Sequence, residues 1–284
     1  MGLFDFFKRD RSGAAGGEGK PKDRKLASLG KKAADKRSQS YDRDEAIRTL
    51  TDIGTHGAAE ALLKRFKLNV DPSITDQEEK QLAFDGIVSI GKGMRGKRVS
   101  DEGKDGKAIS DEPLTEAEVS ELCEAVIEVT RTHCQRAENY TWPLKVMRAL
   151  LDDGRYEQEL LSLLGDFDTE YTRNVEPKVN LLAAMEDLHS DALRSAAEEF
   201  LDDVNDTVRF HAVETTFKQN SPTSLPPLVG MMKNEEAVRI KNKVAEGVMR
   251  LDWTVPEELR EEFRDALRDA YEYAMTDGGK VKKA

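Results

Sequence analysis

The stretches Asp206-Thr-Val208-Arg209-Phe-His-Ala212 and Glu236-Ala-Val238-Arg239 decide the fold of this chain. In both an acidic residue precedes a Val-Arg pair, and in the first a small residue follows four positions after the Val. Apolar side chains then recur at helical spacing, as Phe210, Val213 and Phe217. Upstream, Leu193, Ala197, Phe200 and Val204 make another such stripe, and Leu122, Val126 and Val129 a third. Each predicted helix has one apolar face and is unstable alone, so the segments must stack on one another.

The expected boundaries follow from capping chemistry. Thr75 with Glu78, Thr115 with Glu118, and Thr254 with Glu257 fit capping boxes, in which hydroxyl and carboxylate satisfy exposed backbone donors. Ser221-Pro222 is a helix start, and Gly54, Gly91, Gly154 and Gly165 are expected stops. Pairing the segments gives helices near 42–53 with 57–68, 75–90 with 114–134, 141–152 with 155–165, 172–188 with 192–203, 206–219 with 222–233, and 235–252 with 257–276. One member of each pair returns at a step of about 30 to 34 residues, which suits a helical-pair stack.

The Val-Arg stretches resemble the second-helix signature of HEAT repeats, whose Arg joins a ladder of polar contacts between neighbouring repeats. Weaker echoes are Ile47-Arg48 and Val179-Asn180 with Ala183; Asn180 replaces the Arg, and Asn242 stands where a small residue is usual. The resemblance covers roughly residues 41–276. It implies an all-α, right-handed α-solenoid of about six antiparallel helix pairs whose second helices line a concave face. It further implies an interaction scaffold that binds another protein, with Lys145, Arg148, Lys178, Arg209 and Arg239 as candidates for that face or for the inter-repeat ladder. The alternative is a HEAT-like enzyme, of the bilin lyase or DNA glycosylase kind.

Composition agrees with a helical, solvent-laced protein: 35% of residues are charged and only 6% aromatic. Residues 1–40 hold 11 Lys/Arg against 5 Asp/Glu, whereas the whole chain carries a net charge of −11. The body is therefore strongly acidic, which argues against a nucleic-acid backbone as partner, while the basic arm suits an anionic surface. Cys123 and Cys134 lie eleven residues apart in one expected helix, about 16 Å in rise, too far to form a disulfide. With no apolar run of membrane-spanning length and no signal-peptide order, the chain reads as cytoplasmic.

Residues 10–40 have almost no large apolar side chain and are expected to form a flexible basic linker, and residues 278–284 a basic tail. At the start, Leu3, Phe4, Phe6 and Phe7 gather on one arc of a helical wheel, with Asp5, Lys8 and Arg9 on the other. This segment, residues 1–9, is a candidate docking element for a membrane surface or a partner groove. Phe6 stands where a myristoylation signal needs Ser or Thr.

Other constellations are weaker. Gly91-Lys-Gly-Met-Arg-Gly96-Lys97 follows a phosphate loop until Arg98, which replaces the Mg²⁺-holding hydroxyl, and a helix precedes it where a strand is needed. Asp101, Asp105, Gly106 and Glu112 fall at calcium-loop positions, but Gly103 occupies a ligand position and Pro113 blocks the exiting helix. The expectation for 92–112 is a solvated insertion of the kind that extends a binding face. His56, His133, His189 and His211 are dispersed, with no His-Glu dyad and no HExxH or CxxC spacing, so no metal and no cofactor is expected. Trp142 is expected to pack where helices meet.

Overall fold

The computed structural model describes residues 21–93, 113–268 and 270–284. Leu3, Phe4, Phe6, Phe7, Lys8 and Arg9 lie outside the described residues, as do the rest of the arm to residue 20 and the calcium-loop and phosphate-loop positions from 94 to 112. The chain is mostly helical and divides into two compact units, residues 1–114 and 115–284. The second unit carries the acidity, with 35 Asp/Glu against 21 Lys/Arg.

Unit 1 contains α1 (Pro21–Ala33), α2 (Ser40–Ile53), α3 (His56–Leu63) followed by a 3₁₀ turn (Lys64–Lys67), and α4 (Ser73–Gly91). Helix α1 corrects the expectation of a flexible linker over 10–40: it packs on α2 and α3. Its most closely packed residues, Gly30 and Ala33, are small, which is why composition hid them. Gly30 lies so close to Ala61 that an added Cβ would sit 3.0 Å from the Ala61 Cβ, and Ala33 is fully buried. Helix α2 ends as expected at Gly54, in the left-handed conformation (φ 63°). Helix α4 starts two residues before Thr75, after the N-cap Pro72, so the capping box expected at Thr75 does not form.

Charge, and not only hydrocarbon, fills the junction of α2, the 3₁₀ turn and α4. Arg43, Arg65, Asp76, Glu79 and Lys80 are all buried. Glu79 accepts from Arg43 Nε (2.8 Å) and Nη2 (2.9 Å), Arg65 Nε (3.0 Å) and Ser40 Oγ (2.9 Å). Asp76 accepts from Arg65 Nη2 (2.8 Å) and the Val70 amide (3.0 Å) and pairs with Lys80 Nζ (2.7 Å). Burial pushes both carboxyls up, but the surrounding donors outweigh it and hold each below its ordinary value.

Unit 2 runs α5 (Glu116–Arg136), α6 (Thr141–Leu150), α7 (Asp153–Leu164), α8 (Glu176–Ala184), α9 (Asp191–Glu199) with a 3₁₀ extension (Phe200–Asp202), α10 (Asp206–Lys218), α11 (Leu225–Asn234), α12 (Val238–Arg250) and α13 (Arg260–Ala266). The Thr115–Glu118 capping box forms at α5 as expected, and Cys123 and Cys134 are buried and unbridged. Burial pushes the Cys134 thiol up to about 12, so it is unreactive at neutral pH.

The pairing differs from the sequence expectation by one helix. The contacts run α7 with α8, α9 with α10 and α11 with α12, and alternate helices also touch, α8 with α10 and α10 with α12. A six-residue connection closes α9 onto α10, whereas Asn220 (φ 52°) turns the chain away after α10. The expected pair 75–90 with 114–134 is divided between the two units. Gly154, expected as a stop, lies inside α7.

The last expected helix, 257–276, is broken. A 3₁₀ turn (Glu257–Leu259) leads into α13, and β1 (Tyr273–Met275) then pairs antiparallel with β2 (Val281–Lys283). The expected tail is thus part of a hairpin with Val281 buried. Its turn uses Asp277-Gly278-Gly279 with Gly279 at φ 82°, and Thr254 bridges Lys280 instead of capping a helix. Among the described residues no helix is long and apolar enough to cross a membrane.

Candidate functional site

Helices α8, α10 and α12 begin at Glu176, Asp206 and Val238, about 30 residues apart, and form one contacting row. Each start is fixed locally. Asn174 Oδ1 accepts from the Glu176 amide, Asn205 Oδ1 from the Thr207 amide, and Glu235 Oε1 from the Ala237 amide. The inner faces are apolar: Leu181, Leu182 and Met185 on or just after α8, Val208, Ala212, Val213 and Phe217 on α10, and Ile240, Val244, Ala245 and Val248 on α12 are buried. Thr215 Oγ1 donates to the Leu182 carbonyl (3.0 Å), and Gln219 Nε2 donates to the carbonyls of Met185 and Leu188, so backbone as well as hydrocarbon stitches α8 to α10.

The outer edge of the row carries matched charge. On α10, Asp206 and Glu214 stand eight residues apart; on α12, Arg239 and Lys243 stand four apart. Arg239 Nη2 meets Asp206 Oδ2 at 2.9 Å and Lys243 Nζ meets Glu214 Oε1 at 2.9 Å. Between these rungs lies the half-buried ring of Phe210, with Arg239 Cζ at 5.5 Å and Lys243 Nζ at 5.4 Å from its centroid. His211 presents its edge to that ring, and its Nδ1 lies 3.3 Å from Glu214 Oε2. Toward α8, Lys218 Nζ lies 3.9 Å from Glu186, whose carboxyl is pushed up by burial.

The five cations expected at the site are not gathered there. Arg239 is exposed on the face. Arg209 is a joint: its Nε and Nη2 hold Glu235 (2.7 and 3.0 Å), and its Nη1 donates to the carbonyls of Asp203 (2.8 Å) and Val204 (3.2 Å). Burial pushes the Glu235 carboxyl up, and Arg209 with the Ala237 amide more than reverses this, leaving it below its ordinary value. Lys178 is fully buried and bound to Asp203 Oδ2 (2.8 Å) and the Glu170 carbonyl (3.1 Å), which removes it as a partner-binding residue. Its four-carbon stem is drawn inward because Asp203, equally buried, offers the charge it needs.

Lys145 and Arg148 belong to α6. Lys145 Nζ sits 4.3 Å over the buried Trp142 ring, and Arg148 pairs with Asp153 (2.8 Å) and lies 4.9 Å over Tyr156. Neither is among the partners of Arg209 or Arg239. Comparison with protein-family models, with curated proteins and with solved structures finds no match. What the face can do is therefore read from its own chemistry.

Phe210, His211, Glu214 and Lys243 were not among the expected site residues, although the signal was present. An acidic stripe on one helix facing a basic stripe on another about 30 residues later, with an aromatic between them, is visible in the spacing of 206, 210 and 214 against 239 and 243. The His211–Glu214 pair within α10 also corrects the expectation that no His-Glu dyad is present. Among the described residues no group of three or more His, Cys, Asp or Glu is placed to hold a metal ion. The face offers paired charges and one flat apolar ring, which are the means of docking a surface.

Proposed function

We propose that this chain is a non-catalytic interaction scaffold whose second unit is a HEAT-like helical stack, with α8, α10 and α12 as successive second helices. The observation that carries the reading is the set of rungs Asp206–Arg239 and Glu214–Lys243, with Phe210 held half-exposed between their cations. Such rungs keep neighbouring helices in register while leaving an apolar aromatic ring half-exposed, a side chain enriched at protein interfaces. The occupant proposed is another protein. A DNA partner is disfavoured by the excess of carboxylates in this unit.

The test is affinity capture from native lysate with the full chain and with a Phe210→Ser/Lys243→Glu variant, read by quantitative mass spectrometry. A protein recovered by the parent and depleted about tenfold with the variant supports the reading. Identical recoveries for the two baits sink it. Recruitment through residues 2–9 is a separate part of the proposal: liposome co-sedimentation should fall when Phe4, Phe6 and Phe7 are replaced by Ser, and an unchanged value removes it.

A further inference from the structure

Three of the large apolar side chains most exposed in the described residues fall along one edge of unit 2: Tyr171 (81%), Val204 (55%) and Val238 (43%). Tyr171 lies in the loop five residues before α8, Val204 two residues before α10, and Val238 at the first residue of α12. Val204 was expected to belong to an apolar core stripe; its carbonyl is instead held by Arg209, which leaves the side chain outside.

A chain of hydrogen bonds, buried at Lys178–Asp203 and part-buried elsewhere, underlies the edge. The Val204 amide donates to the Thr169 carbonyl (2.9 Å), Lys178 joins the Glu170 carbonyl to Asp203, and Arg209 joins Asp203 and Val204 to Glu235. Glu235 in turn caps the turn that presents Val238. These apolar groups are therefore displayed by fixed backbone and not by fraying ends.

The surroundings are anionic. Asp168, Glu170, Asp202 and Glu236 are exposed among the three side chains, Asp206 is already engaged by Arg239, and Arg173 is the exposed cation in the first loop. Carboxylates at helix starts serve the helix dipole, which accounts for the charge but not for solvent-facing Tyr and Val beside it.

We infer that this edge docks a cationic amphipathic segment of a partner protein, with apolar side chains set on Tyr171, Val204 and Val238 and Lys or Arg side chains meeting the surrounding carboxylates. The inference rests on the scaffold reading and adds, to the contact at the Phe210 face, a second anchor at the edge. Complementary charge would speed the encounter and fix orientation, and the apolar contacts would set the residence time.

The experiment uses the full chain and a fluorescein-labelled amphipathic peptide of Lys and Leu, with the matching Glu and Leu peptide as control, read by fluorescence anisotropy at low and high salt. The parent should bind the Lys peptide and not the Glu peptide. The variant Tyr171→Ser/Val204→Ser/Val238→Ser keeps every charge and should weaken binding about tenfold or more. Glu170→Gln/Asp202→Asn/Glu236→Gln should flatten the salt dependence. Because the replaced side chains are exposed, circular dichroism should show unchanged folding for both.

Equal binding of the two peptides, or undiminished binding by the Ser variant, overturns the inference. The Phe210→Ser/Lys243→Glu variant separates it from the scaffold reading. Peptide binding retained by that variant, together with native-partner capture lost from the Ser variant, supports the edge. Peptide binding lost only with the Phe210 and Lys243 changes leaves the anchor at the helical face alone and overturns the edge.

Discussion

Residues 40–80 place five charged side chains in one interior junction, whereas, apart from the buried Lys178–Asp203 pair, the Asp206–Arg239 and Glu214–Lys243 pairs lie singly along the outer edge of α10 and α12. The first arrangement joins elements that neither periodicity nor hydrocarbon alone would orient, and every member depends on the others. The second repeats a small contact whose loss its neighbours do not feel. Charge that is buried and shared should act as a single large unit, and charge that is distributed and wet as a sum of small ones.

The sharpest way to break that comparison is Glu79→Gln. The change removes the negative charge and one of the two acceptor oxygens shared by Arg43 and Arg65, leaving the buried Arg43 without its counter-charge and Arg65 with Asp76 alone. The expected loss is about 3–5 kcal/mol, read from urea unfolding followed by probes in unit 1. Adding Arg43→Met should cost far less than it does alone, because the partner is already gone. Equal and additive costs would mean that the junction is merely a set of independent pairs.

Acid should separate the units next. Asp76 and Glu79 are held below the reference values of 3.8 and 4.5, so their stabilisation is complete above those values and is lost as pH falls through them. In unit 2 the shifts oppose one another. Glu235 is lowered and behaves likewise, but Glu186 is raised by burial, so its cost at neutral pH is relieved as it protonates. Amide exchange below about pH 4 should therefore quicken in α2–α4 before it does in α8–α12. The reverse order would refute this assignment of sign.

Gly247→Ala probes packing within the distributed region. An added Cβ would overlap the ring of Phe217, which is 2% exposed and stacked on Trp253 at 5.2 Å, so the ring has little room to move. Overpacking of this kind costs about 1–3 kcal/mol, measurable as a lower melting temperature. A neutral result would show that α12 rides on α10 loosely enough to yield.

How legible all this was in the sequence depended on what each segment used for packing. The Val-Arg stretches at 206–212 and 236–239, with Phe210, Val213 and Phe217 at helical spacing, revealed α10 and α12. Helix α1 was missed because its contact positions Leu26, Leu29, Gly30 and Ala33 include only two large apolar residues, inside a Lys-rich, Gly-rich composition that reads as a linker. The terminal hairpin was missed because Asp277-Gly278-Gly279 lay at the end of an apparently helical run and only the pairing with Tyr273–Met275 makes it a turn. At the candidate site, Lys178 and Arg209 were noticed as cations, but Lys178 found a buried counter-charge 25 residues away, a relation no local pattern encodes.

The smallest expected effect tests the distributed region most directly. Asp206 and Arg239 form a rung with side chains 50% and 54% exposed, so water competes for both. A cycle of Asp206→Asn, Arg239→Gln and the double variant should give a coupling of about 0.2–1 kcal/mol. Arg239 also lies over Phe210, and that contact disappears with the Arg whether or not Asp206 is present, so the cycle cancels it and isolates the rung. The coupling should shrink in about 1 M salt, where screening acts within about 3 Å. A coupling of several kcal/mol that survives salt would instead place this rung in the same class as the buried junction around Glu79, and the contrast between shared and distributed charge would fail at the point where it is easiest to measure.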